Sequence, residues 1–213
     1  MVRNKFLILA AMILLYFPMR SLASVPLLRV KTGLSTISVN AGELYERVAL
    51  GSMVTFQPSI LWDFPSFSSR IGVHYLQELS SPHGMTPMSG IGISAYYHIL
   101  GISSSYQISD DGVILQKSRP GPYLYAGLTP VNLNMNKLEE GVNSADNKYF
   151  SAQCNEIAAG LGYDYPLLQN MLLSGEVVYR TGSSKGTGTS NTSAGSVNYS
   201  GYTIFFSLAA AYY

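Results

Sequence analysis

From Phe150 to Tyr213, apolar and polar positions alternate with a period of two. One register reads Ile157, Ala159, Leu161, Tyr163, Tyr165; the other reads Glu156, Ala158, Gly160, Gly162, Asp164. After the short connection Pro166–Asn170 the pattern returns as Met171, Leu173, Gly175, Val177, Tyr179 against Leu172, Ser174, Glu176, Val178, Arg180. Beyond a Gly/Ser/Thr-rich stretch it returns once more as Tyr202, Ile204, Phe206, Leu208, Ala210, Tyr212 against Thr203, Phe205, Ser207, Ala209, Ala211, Tyr213. Side chains of a strand point alternately to opposite faces, so this spacing predicts β-strands with two chemically different sides.

The same period organises the earlier chain. Leu27–Thr36 reads as a first strand, with Leu28, Val30 and Leu34 on one face and Arg29, Lys31, Gly33 and Ser35 on the other. Val48–Trp62 is a second, in which Pro58 lacks the N–H a ladder needs and predicts a bulge or an early end. Asp63–Ser66 turns into a third strand, Ser68–Leu79, with Ile71, Val73 and Tyr75 outward and Arg70, Gly72, His74 and Glu78 inward. A fourth begins at Ile91 and either runs past Gly101 towards Gln107 or gives way to a separate short strand at Ile102–Ile108. Asp110-Asp111-Gly112 signals a turn. A fifth strand lies within Val113–Val131, strongest at Tyr123–Leu128 and interrupted by Arg119-Pro120-Gly121-Pro122. Asn132–Tyr149 reads as a polar loop, and the last third brings the count to about eight strands.

Connections alternate in length. Residues 63–67 and 166–170 are short, whereas 37–47, 80–90, 132–149 and 182–199 are long. An even count with both ends on one side predicts an all-β, closed antiparallel up-and-down barrel. Composition then decides which face meets water. Tyr occurs 16 times, charged residues make up 12%, and mean hydropathy is +0.16. That balance suits a transmembrane barrel with an apolar exterior and aromatic girdles. Closure is required in hydrocarbon, where each unpaired backbone group costs several kcal/mol. The expected girdles are Trp62, Tyr163, Tyr165 and Tyr212 at one rim, and Tyr179 and Tyr202 at the other.

The N-terminus reads as an export signal: Arg3 and Lys5, an apolar run from Phe6 to Phe17, then Ser21-Leu22-Ala23 as a cleavage site. Residues 1–23 are thus expected to leave, and 24–213 to form one barrel domain. Cleavage takes three of the 13 basic residues and leaves ten against 12 acidic, a net charge of −2 that argues against a nucleic-acid partner. Cys154 is the single cysteine, can form no internal disulfide and reads as a small filler.

The strand phases place Arg29, Lys31, Arg70, His74, Glu78, Glu156, Asp164, Glu176 and Arg180 inside. An eight-stranded barrel is just wide enough for side chains to fill, and buried charges must be paired, so a plugging charge network is expected. Neither a cofactor nor a metal is called for.

On the run Ala158–Tyr165 and the following strand ending Val177-Val178-Tyr179-Arg180, the chain resembles the small eight-stranded outer-membrane barrels of the OmpA/OmpX type. The resemblance implies a bacterial outer-membrane location, lipid and lipopolysaccharide as surroundings, and insertion by the barrel-assembly machinery. The expected role is structural or adhesive, carried by the long loops of a monomer. The family's C-terminal aromatic assembly signal corresponds to Tyr213, although the more apolar register here contains Tyr212. Some small outer-membrane barrels modify lipid A; for such an enzyme the candidates are His74 with Glu78, or His98 with a nearby Ser, while His83 reads as a loop residue. A narrow channel and a soluble barrel are the remaining alternatives. The expectation is no catalytic residue.

Overall fold

The computed structural model describes residues 26–40, 48–80, 88–102, 105–108, 114–117, 120–137, 148–168, 171–184 and 197–211. The strands are β1 (Leu27–Asn40), β2 (Val48–Phe64), β3 (Ser69–Ser80), β4 (Met88–His98), β5 (Ser105–Ile108), β6 (Ile114–Lys117), β7 (Gly121–Lys137), β8 (Lys148–Leu168), β9 (Met171–Ser184) and β10 (Val197–Ala211). Eight of them close a barrel in the order β1-β10-β9-β8-β7-β4-β3-β2, every pair antiparallel. β5 and β6 form a separate two-stranded sheet between β4 and β7. Closure leaves no sheet edge on the barrel itself.

At one end lie the β2–β3 turn, the β8–β9 turn, the start of β1 and the end of β10. The β2–β3 turn is a 3-10 segment, Pro65–Phe67, closed by Ser68 N–H donating to Pro65 O at 3.0 Å with Ser68 in the left-handed region (φ 50°). The strand ends separated by longer intervals of sequence, Asn40 and Val48, Ser80 and Met88, Lys137 and Lys148, Ser184 and Val197, lie at the opposite, long-connection end, while β5 and β6 fall between the short-turn ends of β4 and β7.

Several strand boundaries differ from expectation. β4 stops at His98, where Gly101 (φ 79°) turns the chain back on His98 O, so it does not run on to Gln107. Ser105–Ile108 and Ile114–Lys117 pair with each other as β5 and β6, and the fifth barrel strand begins only at Gly121. Asn132–Tyr149 is not a loop throughout, because β7 reaches Lys137 and β8 starts at Lys148; residues 138–147 lie outside the described residues. Likewise β1 extends to Asn40, β9 to Ser184, and β10 starts at Val197.

Pro58 neither bulges nor ends β2. The β1–β2 register runs straight through Val30↔Pro58, and the β2–β3 register is the same at Phe56↔Gln77 and Ser59↔His74 on either side of it. The proline's missing donor coincides with the omitted pairs on the β3 side. Pro130 in β7 repeats the device against β4, between Ile93↔Leu128 and Gly90↔Val131. The register shifts fall elsewhere, between Thr36 and Ser38 against β2 and between Pro166 and Leu168 against β9.

Through the short-turn half of the barrel, apolar side chains point outward. Leu161 is 62% exposed and Phe206 64%, while the polar residues Arg29, Lys31, Glu156, Asp164 and Arg180 are buried inside. Towards the long-connection end the polarity inverts. There Ile37, Val39, Met53, Leu76, Met88, Val131, Leu133, Cys154 and Val197 cluster in the interior, and Thr36, Ser38, Asn132, Gln153, Asn155 and Ser183 face outward. The strand ends that the sequence reading treated as loops belong to this inverted section.

Candidate functional site in the barrel interior

Each strand contributes every second residue to the interior, so a charged side chain buried there needs a partner to be stable. Reading up from the short-turn end, three polar layers follow one another.

The first is built on Asp164 of β8. Arg29 of β1 reaches it through Nη2, at 3.0 and 3.2 Å to its two oxygens. Arg70 of β3 donates from Nη1 at 3.2 Å, and the Ser174 hydroxyl donates at 2.5 Å. Arg70 also forks onto Asp63, Nε to Oδ1 at 2.5 Å and Nη2 to Oδ2 at 3.3 Å. Such two-point contacts are the strongest class of protein hydrogen bond. Asp63 was expected in a turn; the longer β2 instead turns it inward.

The second layer is aromatic around one ammonium. Lys31 Nζ donates to Glu176 Oε1 at 2.6 Å, and Tyr123 OH donates to the other oxygen at 2.9 Å. Lys31 also sits 4.1 Å from the centroid of Tyr125, 4.9 Å from Tyr96 and 5.2 Å from Phe205. Cation–π contacts of this kind add about 0.5–2 kcal/mol each. Arg29 lies 4.9 Å from the Tyr96 ring, tying this layer to the first.

The third layer centres on Arg180 of β9. Its Nε and Nη2 hold Glu156 at 3.1 and 2.7 Å, and its Nη1 donates to Glu78 of β3. Because β3 and β9 lie four strands apart in the ring, this pair spans the full width of the barrel. Tyr199 OH donates to Glu156 at 2.8 Å, and the Ser35 and Thr55 hydroxyls donate to Glu78 at 3.4 and 3.3 Å. Above it begins the apolar cluster that contains Cys154.

His74 is buried with Nε2 2.9 Å from Thr129 Oγ1, while Glu78 is engaged by Arg180; the two residues considered as an acid–base pair have separate partners. His98 is buried with its ring 5.5 Å from that of Tyr123. His83 lies outside the described residues. Among the described residues, no cluster of His, Cys, Asp and Glu could hold a metal. The interior therefore brings Arg29, Lys31, Arg70, Glu78, Glu156, Asp164, Glu176 and Arg180 into ion pairs. The sequence places Tyr96 in the register of Gly92, Ser94 and His98, where it is buried, but its reading missed Asp63 and the interior aromatics Tyr123, Tyr125 and Tyr199. The signal that could have found the aromatics is parity along each strand, of Tyr123 and Tyr125 with Thr129 and of Tyr199 with Thr203 and Ser207.

On the exterior, Trp62, Tyr163 and Tyr165 stand near the short-turn end, and Tyr179 and Tyr202 form a cross-strand pair farther up with centroids 5.1 Å apart. Tyr212 and Tyr213 lie outside the described residues, as does the expected cleavage site before Ser24.

The chain is similar to the solved structure of Neisserial surface protein A, at 15% identity, with 87% of this chain and 97% of that chain covered and a TM-score of 0.49. It is similar to Ail, the attachment invasion locus protein of Yersinia pestis, solved in complex with the heparin analogue sucrose octasulfate, at 10% identity, 87% and 99% coverage and a TM-score of 0.49. A further likeness is to the N-terminal β-barrel domain of OprF from Pseudomonas aeruginosa, at 12% identity, 86% and 98% coverage and a TM-score of 0.38. No family model matches the chain, and no curated protein matches it.

Proposed function

We propose that this chain is an integral outer-membrane barrel whose filled body is a rigid platform, with a structural or surface-interaction role carried at its long-connection end. The observation that carries this reading is the exterior belt. Ile157, Leu161, Leu173, Val177, Ile204 and Phe206 are all exposed around closed strands whose charges are paired inside. A soluble monomer rarely exposes an apolar patch beyond a few hundred Å². From Ile157 to Leu167 along β8, at ~3.3 Å per residue and ~40° of tilt, the apolar exterior is about 25 Å tall. That height matches the apolar band of outer-membrane barrels, and the exposed aromatics near its two limits fit their girdles.

The test is fractionation of cells producing the full chain. Retention in outer membranes after carbonate washing, with a folded band that shifts on boiling, is expected; release into the wash would exclude the proposal. Mass analysis of lipid A with and without the protein tests the non-enzymatic part. Unchanged acyl chains are expected, and an altered acyl composition would replace the platform reading with a lipid-modifying one.

A further inference from the structure

The inversion of polarity along the barrel marks off a second exterior surface. On β8 the outward residues change from Ile157 to Asn155 and Gln153, and inside them Cys154 replaces Glu156 as the buried residue. The same change occurs on neighbouring strands. Outward Leu128 of β7 is followed by Pro130 and Asn132, Tyr179 of β9 by Thr181 and Ser183, and Leu34 of β1 by Thr36 and Ser38.

These positions are contiguous. Asn132 pairs with Gln153, Asn155 with Ser183, Ser183 with Asn198, Thr181 with Ser200, and Ser200 with Ser38. The surface therefore wraps continuously over β7, β8, β9, β10 and β1. On the other side of the barrel, Val54, Leu79 and Ile91 keep the exterior apolar.

Apart from Pro130, this face is, among the described residues, made of amides and hydroxyls and carries no charge. Its lower border is the tilted Tyr179–Tyr202 pair. Amides offer both donors and acceptors, and hydroxyls offer the same, a match for groups that are themselves hydroxyl-rich and neutral. A phosphate would instead favour Arg or Lys. The face also starts where the lipid-facing band ends, so its nearest neighbour in a membrane is the headgroup of whatever lipid covers that band.

We infer that this face binds the neutral sugar headgroup of a glycolipid in the outer leaflet. The inference rests on the membrane-embedded reading above.

The experiment uses the full chain folded in detergent micelles and titrated with three lipids: lipopolysaccharide bearing core sugars, lipid A without them, and a phospholipid. Thermal unfolding reports binding. The expected result is a rise in Tm with the sugar-bearing lipid that exceeds the effect of the other two. The triple variant Asn132→Ala, Gln153→Ala, Asn155→Ala should lose about tenfold in apparent affinity for that lipid, from three hydrogen-bonding groups at ~0.5 kcal/mol each. Equal shifts with lipid A or phospholipid would overturn the inference, as would a triple variant that binds like the parent. If the variant does not fold, the three-lipid comparison on the parent decides the matter alone. Carbonate release of the parent would strike the membrane reading itself, whereas loss of sugar preference in a membrane-retained protein strikes this inference alone.

Discussion

At the scale of single residues, the interior is held by pairs whose members cannot be removed singly. Lys31 is buried with Glu176 as its carboxylate partner at 2.6 Å, and its aromatic neighbours supply what remains. Removing one member of a buried pair costs about 3–5 kcal/mol, more than a single aromatic contact of about 0.5–2 kcal/mol returns. Glu176→Ala is therefore expected to destabilise the folded barrel by about 3 kcal/mol, read from urea unfolding in lipid vesicles. Glu176→Gln, which keeps an acceptor for Tyr123, should lose less. Two glycines make a second comparison. A Cβ on Gly162 would meet the buried Tyr123 ring, whose hydroxyl holds Glu176, whereas a Cβ on Gly175 meets nothing within 4 Å. Gly162→Ala should cost about 1–3 kcal/mol through this overpacking. Gly175→Ala should stay within about 0.5 kcal/mol of the parent in the same assay.

At the scale of the strand, β8 carries the fold's main lesson in its own length. Its lower part alternates apolar-out and charged-in, from Ile157 and Glu156 to Tyr165 and Asp164, and that part was legible from the sequence. Its upper part alternates the other way, with Cys154 in and Gln153 and Asn155 out. Read for an apolar exterior, the upper part looks like a polar loop, so the sequence predicts loops over 132–149 and 182–199 where β7 extends to Lys137, β8 starts at Lys148, β9 extends to Ser184 and β10 starts at Val197. Both halves have the same period, and what differs is which chemistry faces outward. Asp63 was hidden for a related reason: beside Pro65 it looks like a turn residue, yet the strand carries it one inward step farther to Arg70. The β5–β6 hairpin was ambiguous because four-residue strands are too short for alternation to declare itself. The inversion makes a direct prediction. Leu161→Arg, in the middle of the apolar band, should cost about 2–4 kcal/mol of folding free energy in vesicles. Gln153→Arg, two outward positions beyond Ile157 on the same face of the same strand, should cost about 0–1 kcal/mol. Equal penalties at the two positions would mean that the upper strands are not in water.

At the scale of the whole molecule, the question is whether a passage runs through the barrel. An eight-stranded closed sheet has an interior just wide enough for side chains. Here Arg180 crosses it to Glu78, and Arg29 and Arg70 converge on Asp164 from two other strands. Over these lies a second barrier of different chemistry, with Met53, Leu76, Met88 and Leu133 buried together at the long-connection end. Ions traverse an apolar constriction poorly because water leaves it, and they traverse a paired charge layer only if its pairs are broken. The two barriers are in series, so opening one leaves the other. The full chain in a planar bilayer is therefore expected to show no steady unitary conductance. Met53→Ser with Met88→Ser should remain silent as well, because the Arg180 layer beneath is untouched. Current steps in the parent would contradict the filled-barrel account. Steps confined to the double variant would place the whole seal in the apolar cluster and reduce the ion pairs to a role in stability.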